Sequence, residues 1–232
     1  MVNFYTDAST KKLHKERISM HVLLFAGGTV QAGSAVERTL AAGELTIAAD
    51  MGAALALRYG LVPTCVVGDF DSLLPETREE LARLGCQFIA AATEKDETDT
   101  ELAIEVALQL GATRISLLGV LGGTRFDHTF ANLLLLTAYE SQPIEIVDGN
   151  SRGWLLRGPG ETKITGKAGD LLSLLPLTTH ASGVQTKHLA YPLHHERLSF
   201  GRPRGISNVL QTTEADVTLE EGLLLVVHTE IA

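Results

Sequence analysis

In the stretch Val67-Gly68-Asp69-Phe70-Asp71-Ser72, two carboxylates stand two residues apart at the end of the apolar run Thr64-Cys65-Val66-Val67. In extended chain their side chains point the same way, because direction repeats every second residue. Like charges held side by side repel unless a cation lies between them, and hard oxygen ligands suit Mg²⁺ carrying phosphates. Gly68 lets the backbone turn or approach a ligand. A lone D-x-D also fits a solvated Asp-rich turn, so the weight falls on its company.

Asp50 follows the apolar run Leu45–Ala49. That places it at the carboxyl edge where open α/β sheets bind ligands, although helix capping before Gly52 explains it equally well. Thr93-Glu94-Lys95-Asp96-Glu97-Thr98-Asp99 is a dense acidic loop. Thr98 and Glu101 form a capping box, so Asp99 lies in the first helical turn, where the dipole favours it. Arg125, His128 and Asn132 fall at i, i+3 and i+7, one face of a helix beginning near Phe126 and burying Leu133 to Leu136. Arginine is a bidentate partner for phosphate, and a helix N-terminus adds free N–H donors. His128 alone reads as a structural hydrogen-bonder. Gly205-Ile206-Ser207-Asn208 offers donors and acceptors for a polar heterocycle, or forms an ordinary turn. His194-His195 reads as surface.

These residues need a frame. Strands are expected at His21–Ala26, Leu45–Ala49, Thr64–Val67, Cys86–Ala90, Arg114–Gly119 and Ile144–Val147. Helices are expected at Ser34–Ala42 (opened by a Ser34/Glu37 capping box), Ala53–Tyr59, Pro75–Leu84 and from Thr98 to Leu110, with Gly60 and Gly85 as stops. Gly27-Gly28 after the first strand matches neither G-x-G-x-x-G nor a P-loop. The alternation predicts a mainly parallel sheet with helices on both faces. The acidic, Arg and His residues above all fall at its carboxyl edge or in the loops just beyond. After Asn150 the helical period stops. Short runs at Trp154–Leu156, Lys163–Thr165, Leu171–Leu175, Val184–Thr186, Val217–Leu219 and Leu223–Val227 predict an all-β sandwich with Trp154 in its core. The expected class is therefore α/β, with an α/β domain over residues 20–148 and a β-sandwich over 149–232.

The chain of 232 residues, 45% hydrophobic and 20% charged, has the balance of an ordinary soluble globular protein. A net charge of −9 excludes the basic field that a nucleic-acid binder needs. It leaves a nucleotide substrate open, since a bound cation neutralises both sides. Cys65 and Cys86 have no zinc spacing and read as reduced thiols of a cytoplasmic protein. No apolar run is long enough for a membrane span, and the polar N-terminus is unlike a signal peptide. Residues 1–19 read as an extension with no assigned function.

Taken together, five motifs resemble the bacterial thiamin pyrophosphokinases. They are Ala49-Asp50-Met51-Gly52, Gly68-Asp69-Phe70-Asp71-Ser72, Lys95-Asp96-Glu97-Thr98-Asp99, Arg125-Phe126-Asp127-His128 with Asn132, and Gly205-Ile206-Ser207-Asn208. The resemblance implies transfer of pyrophosphate from ATP to the hydroxyl of thiamin, giving thiamin diphosphate and AMP. It implies that Asp69, Asp71 and Asp99 hold Mg²⁺ on the ATP phosphates, with Asp50 and Asp96 nearby; the chemistry also needs an acceptor for the alcohol proton, for which Asp71 is the expected group. Arg125, Asp127, His128 and Asn132 are implied on the nucleotide side, and Ser207 and Asn208 on thiamin. A homodimer with thiamin at the subunit interface is implied as well. The chain departs from the family at Met51, at Thr124 between the glycine pair and Arg125, and at Val209. Two other readings are a pyrophosphokinase acting on another alcohol, such as a hydroxymethylpterin, and a nucleotide or thiamin-diphosphate sensor without turnover.

Overall fold

The computed structural model describes residues 19–92, 94–139 and 142–231. The N-terminal extension, except Ser19, lies outside the described residues, as does Thr93 of the acidic loop. His21–Phe25 forms β1, and all five residues are buried. A strand with no polar face belongs inside a sheet covered on both sides. The chain continues through α1 (Ser34–Ala42), β2 (Leu45–Ala49), α2 (Gly52–Arg58), β3 (Cys65–Gly68), α3 (Pro75–Arg83), β4 (Gln87–Ala90), α4 (Asp99–Gln109), β5 (Arg114–Leu118), α5 (Phe126–Leu135) and β6 (Ile144–Asp148). The six strands pair in parallel in the order β6-β5-β1-β2-β3-β4. Alternate residues supply two cores. Val22 and Leu24 meet Ala103, Ile104 and Ala107 of α4 on one face. Leu23 and Phe25 meet Val36 of α1, Leu55 of α2 and Leu81 of α3 on the other.

At Gly149-Asn150 the chain reverses, and β7 (Ser151–Arg157) pairs antiparallel with β6. Then follow β8 (Gly160–Thr165), β9 (Leu171–Pro176), β10 (His180–Lys187), β11 (Glu196–Ser199), β12 (Asn208–Val209), β13 (Glu214–Leu219) and β14 (Leu223–Thr229). The first sheet grows to ten strands, β12-β9-β14-β7-β6-β5-β1-β2-β3-β4, and β11-β10-β13-β8 form a second. Leu172, Leu174, Leu224 and Val226 of the first sheet face Ile164, Val184, Leu198 and Val217 of the second across a sandwich core. The expected architecture is present, but its two parts share one sheet. Residue 149 falls on the hairpin that joins them. No helix among the described residues is long and apolar enough to cross a membrane.

Four local expectations need correction. Ser34 is not a cap: Gly33 holds that position, with no side-chain cap bond. Instead, Ser34 Oγ donates to Glu230 Oε2 at 2.7 Å and its N–H to Asn150 Oδ1 at 2.9 Å, which ties α1 to the β half. The Thr98 cap does form, with Thr98 Oγ1 accepting from Glu101 N at 3.2 Å. Leu133 to Leu136 cannot all be buried, because four consecutive residues circle a helix; Leu136 is buried and Leu134 is exposed. Trp154 is half-buried, and its indole N–H donates to Thr162 Oγ1 at 3.2 Å. Asp69 and Asp71, expected in extended chain, stand instead on a turn with Phe70 in the left-handed region.

The end of β14 is fastened by a buried pair. Asp170 and His228 are each 1% exposed, with His228 Nε2 at 3.0 Å from Asp170 Oδ2. Asp170 also accepts from Lys167 N at 2.8 Å and Ile231 N at 3.1 Å. Burial is the largest influence on His228 and, helped by Arg152 and Arg38, holds its pKa below the ordinary value despite Asp170. Burial and Arg114 depress His21 in the same sense. A lowered histidine pKa means that the unfolded chain binds more protons as pH falls through about 6.5, so stability declines on acidification. The melting temperature is therefore expected to fall between about pH 7 and about pH 5. His228→Gln should make that fall shallower in the same buffers; an unchanged slope would remove His228 from the account.

Candidate active site

The carboxyl ends of β2 and β3 and the first turn of α4 meet at one point. Asp50 follows β2 in the left-handed region at φ 44°. Its N–H donates to Val67 O at 3.0 Å, and its carbonyl accepts from Ala53 N at 3.1 Å, so the residue is clamped between β3 and α2. After β3 the chain does not stay extended. Phe70 adopts φ 63°, and Asp71 N donates to Asp69 Oδ1 at 3.2 Å. The expected extended pair is thus a tight turn, because an Asp side chain competes well for a backbone N–H two residues on. The Phe70 ring packs edge-on against Phe88 at 5.4 Å, and the Arg78 guanidinium lies 5.2 Å from its centroid. That apolar anchor holds the turn.

The turn brings both carboxylates to one cleft. Oxygens of Asp50, Asp69 and Asp99 all lie within 4.8 Å of one another. Asp71 stands exposed on the rim of the same cleft. Ser72 Oγ donates to Asp50 Oδ2, while Asp50 Oδ1 is buried without a partner. Burial pushes the Asp50 pKa up; the Ser72 bond opposes this, and the carboxylates of Asp99, Asp71 and Asp69 add to the rise. A divalent cation would supply what the orphaned oxygen lacks, and three convergent carboxylates are a hard donor set that fits one. Lys95 Nζ pairs with Asp99 Oδ1. Gly68 is required here: at φ 153°, an added Cβ would lie 3.2 Å from Asp50 Cβ and 3.4 Å from the Asp99 carboxyl.

The cleft above these carboxylates holds about 520 Å³ and is bounded opposite them by Gly122 to Arg125 and by His128, Thr129 and Asn132 of α5. This volume suits a nucleotide-sized ligand. Asn132 is buried and donates to Val120 O at 3.0 Å, so it fastens the glycine loop. Arg125 gives a two-pronged bond to Asp127, with Nε at 2.9 Å and a terminal nitrogen at 2.6 Å. The guanidinium pulls the Asp127 pKa down to about 2. Asp96 and Asp127 are exposed and do not line this cleft.

Ser207 and Asn208 lie elsewhere. Asn208 accepts from Tyr191 N at 3.0 Å and donates to Tyr191 O at 2.7 Å, beside a hollow of about 200 Å³ lined by Tyr191, Glu196, Arg204 and Ile206. Ser207 is left-handed at φ 59°, its N–H on Ser173 Oγ at 3.1 Å. From β12 to β2 the sheet runs seven strand spacings, roughly 30 Å. One chain therefore does not bring Ser207 and Asn208 to the carboxylates. Sequence reasoning gave no role to Ser72, Thr129 or Lys95. The spacing of Lys95, four residues before Asp99, was a usable signal; nothing in the sequence marks Ser72 as a partner of Asp50.

Comparison with known proteins adds two family models. One, described as thiamin pyrophosphokinase, catalytic domain, matches residues 36–147; the other, described as thiamin pyrophosphokinase, vitamin B1 binding domain, matches residues 161–224. The thiamine pyrophosphokinase of Bacillus subtilis is 27% identical over 187 residues, covering 79% of this chain and 86% of that protein. A crystal structure of the B. subtilis protein superimposes with a TM-score of 0.80 at 26% identity, over 91% of this chain and 100% of that one. For the thiamin pyrophosphokinase of Geobacillus thermodenitrificans the TM-score is 0.77 at 28% identity, over 92% and 99%.

Gly68→Ala tests the geometry of the carboxylate cluster. Backbone strain should lower stability by about 1–2 kcal/mol, a few degrees in melting temperature. Displacement of Asp50 and Asp99 should also weaken Mn²⁺ binding followed by paramagnetic resonance. Unaltered Mn²⁺ affinity would mean that the close approach at Gly68 does not position those carboxylates.

Proposed function

The chain belongs to the thiamin pyrophosphokinase family, and on that premise we propose how its residues divide the work of moving the pyrophosphoryl group of ATP to the hydroxyl of thiamin. The alcohol oxygen bonds to the β-phosphorus, the bond from that phosphorus to the α,β-bridging oxygen breaks, and AMP leaves with the bridging oxygen. The alcohol proton passes to a base. The convergence of Asp50, Asp69 and Asp99 beneath a nucleotide-sized cleft carries this reading.

These three residues are the set that would hold Mg²⁺. The ion, when bound, neutralises charge on the phosphates and so eases attack by the alcohol. Asp71, at the rim of the cleft, is the group we assign to accept the alcohol proton. Arg125 and His128 line the cleft and are assigned to the phosphates, for which a helix N-terminus offers free N–H donors. Phosphate oxygens compete with Asp127 for the same guanidinium fork. Asn132 and Thr129, through bonds to Val120 O and Gly122 O, hold the loop that borders the nucleotide.

Ser207 and Asn208 are assigned to thiamin. Since they lie seven strand spacings from the carboxylates of their own chain, we infer a homodimer in which thiamin bound at this hollow meets the partner's ATP cleft. We take the enzyme to be cytoplasmic, where its two buried free thiols stay reduced. The match to a vitamin B1 binding domain favours thiamin over a pterin alcohol.

The test is a nucleotide balance with purified protein, ATP and Mg²⁺, with and without thiamin, resolving AMP from ADP. Thiamin-dependent AMP matched by thiamin diphosphate is expected. ADP would mean single-phosphoryl transfer, and no turnover would favour a sensor. Asp71→Asn should lower kcat by about 100-fold or more while leaving the melting temperature unchanged. Full activity in that variant would end its assignment as the base.

A further inference from the structure

We propose that Lys95 is a built-in counter-cation of the carboxylate cluster, one that yields Asp99 to the divalent metal and then turns its ammonium to the polyphosphate. The inference rests on the reading of Asp50, Asp69 and Asp99 as the metal-holding set. Lys95 lies in the loop before α4, three residues ahead of the Thr98 cap, so its backbone is not fixed by the helix. Its Nζ bonds Asp99 Oδ1, the same oxygen that stands 3.4 Å from the position of a Cβ on Gly68. The pair is sheltered, with side-chain exposures of 16% for Lys95 and 29% for Asp99. It is therefore screened less than a surface ion pair.

The charge balance around this pair gives it a function. Asp50, Asp69 and Asp99 converge, and Asp71 borders the same cleft. Arg125, which lines the cleft, is engaged by Asp127. Among the described residues, Lys95 is the cation whose ion pair reaches a member of the cluster. One positive charge on Asp99 reduces the mutual repulsion but leaves Asp50 Oδ1 without a partner. A divalent ion relieves more of it, and an ammonium beside that ion is then repelled. A lysine on a flexible four-carbon stem can leave without moving the backbone. The anion that arrives with the metal is a polyphosphate, for which lysine serves as a mobile point charge. By linkage, whatever displaces Lys95 from Asp99 is opposed by the pair, and removing the pair must favour that ligand.

Three measurements on the full chain test this. Mn²⁺ binding without nucleotide, read by paramagnetic resonance, should be about fivefold tighter in Lys95→Met than in the unsubstituted protein. Labelling of Lys95 by an amine-reactive reagent, read by mass spectrometry, should be slow alone and accelerate when Mg²⁺ is added. In turnover, Lys95→Met should raise the KM for ATP about tenfold with a smaller effect on kcat, and Lys95→Arg should recover most of it. A fixed structural role predicts the reverse, with metal binding weakened or unmoved and labelling indifferent to Mg²⁺. Either result would overturn the proposal while leaving the metal site standing. No Mn²⁺ binding in the unsubstituted protein would overturn both.

Discussion

Three carboxylates with oxygens within 4.8 Å of one another repel, and holding them there is the constraint on which the rest of the structure depends. At such a range the repulsion is substantial, and partial burial weakens the screening that water would supply. No flexible loop sustains that. The backbone does so here by three separate means: Asp50 is clamped to β3, Asp69 sits in a turn anchored by Phe70, and Asp99 is fixed by the Thr98 cap. Each rests in turn on the parallel ladder β1-β2-β3, whose residues are buried on both faces. The doubly covered sheet thus stabilises a charge arrangement that isolated peptide segments would relax.

What the sequence made legible follows from the same physics. Strands buried on both faces appear as unbroken apolar runs, so His21–Phe25 and Leu45–Ala49 could be placed almost to the residue. The residues at their ends were then located at the right edge. Side-chain direction beyond the strand was not legible, because it hangs on one left-handed residue, Phe70, and on an Asp bonding its own backbone. Extended geometry grouped Asp69 with Asp71; the turn groups Asp69 with Asp50 and Asp99. Long-range partners were hidden too. Ser34 reads as a cap locally, yet its hydroxyl serves Glu230, 196 positions away. The short strands Glu196–Ser199 and Asn208–Val209 carry too few residues for alternation to register.

The β half has two duties in one set of strands. Leu172, Leu174, Leu224 and Val226 close the sandwich core, while the ladders from β9 to β14 to β7 continue the parallel sheet of the first half. Asn208 uses both ends of its amide on Tyr191, so the turn that carries Ser207 is braced by side-chain bonds rather than by a long ladder. A turn built this way is held by its own bonds at the far end of the sheet from the carboxylates.

The shared sheet also decides what can be cut. A break at the hairpin between β6 and β7 would bare the main-chain donors and acceptors of β6 along its whole length. An apolar strand with such an open margin is a template for pairing with other chains and for aggregation. On the other side, β7, β14 and β9 would lose the inner neighbour that makes them part of a broad sheet. Neither half is therefore a module to be borrowed. Recombination, truncation or circular permutation of this chain is therefore poorly tolerated at the very point where its composition changes.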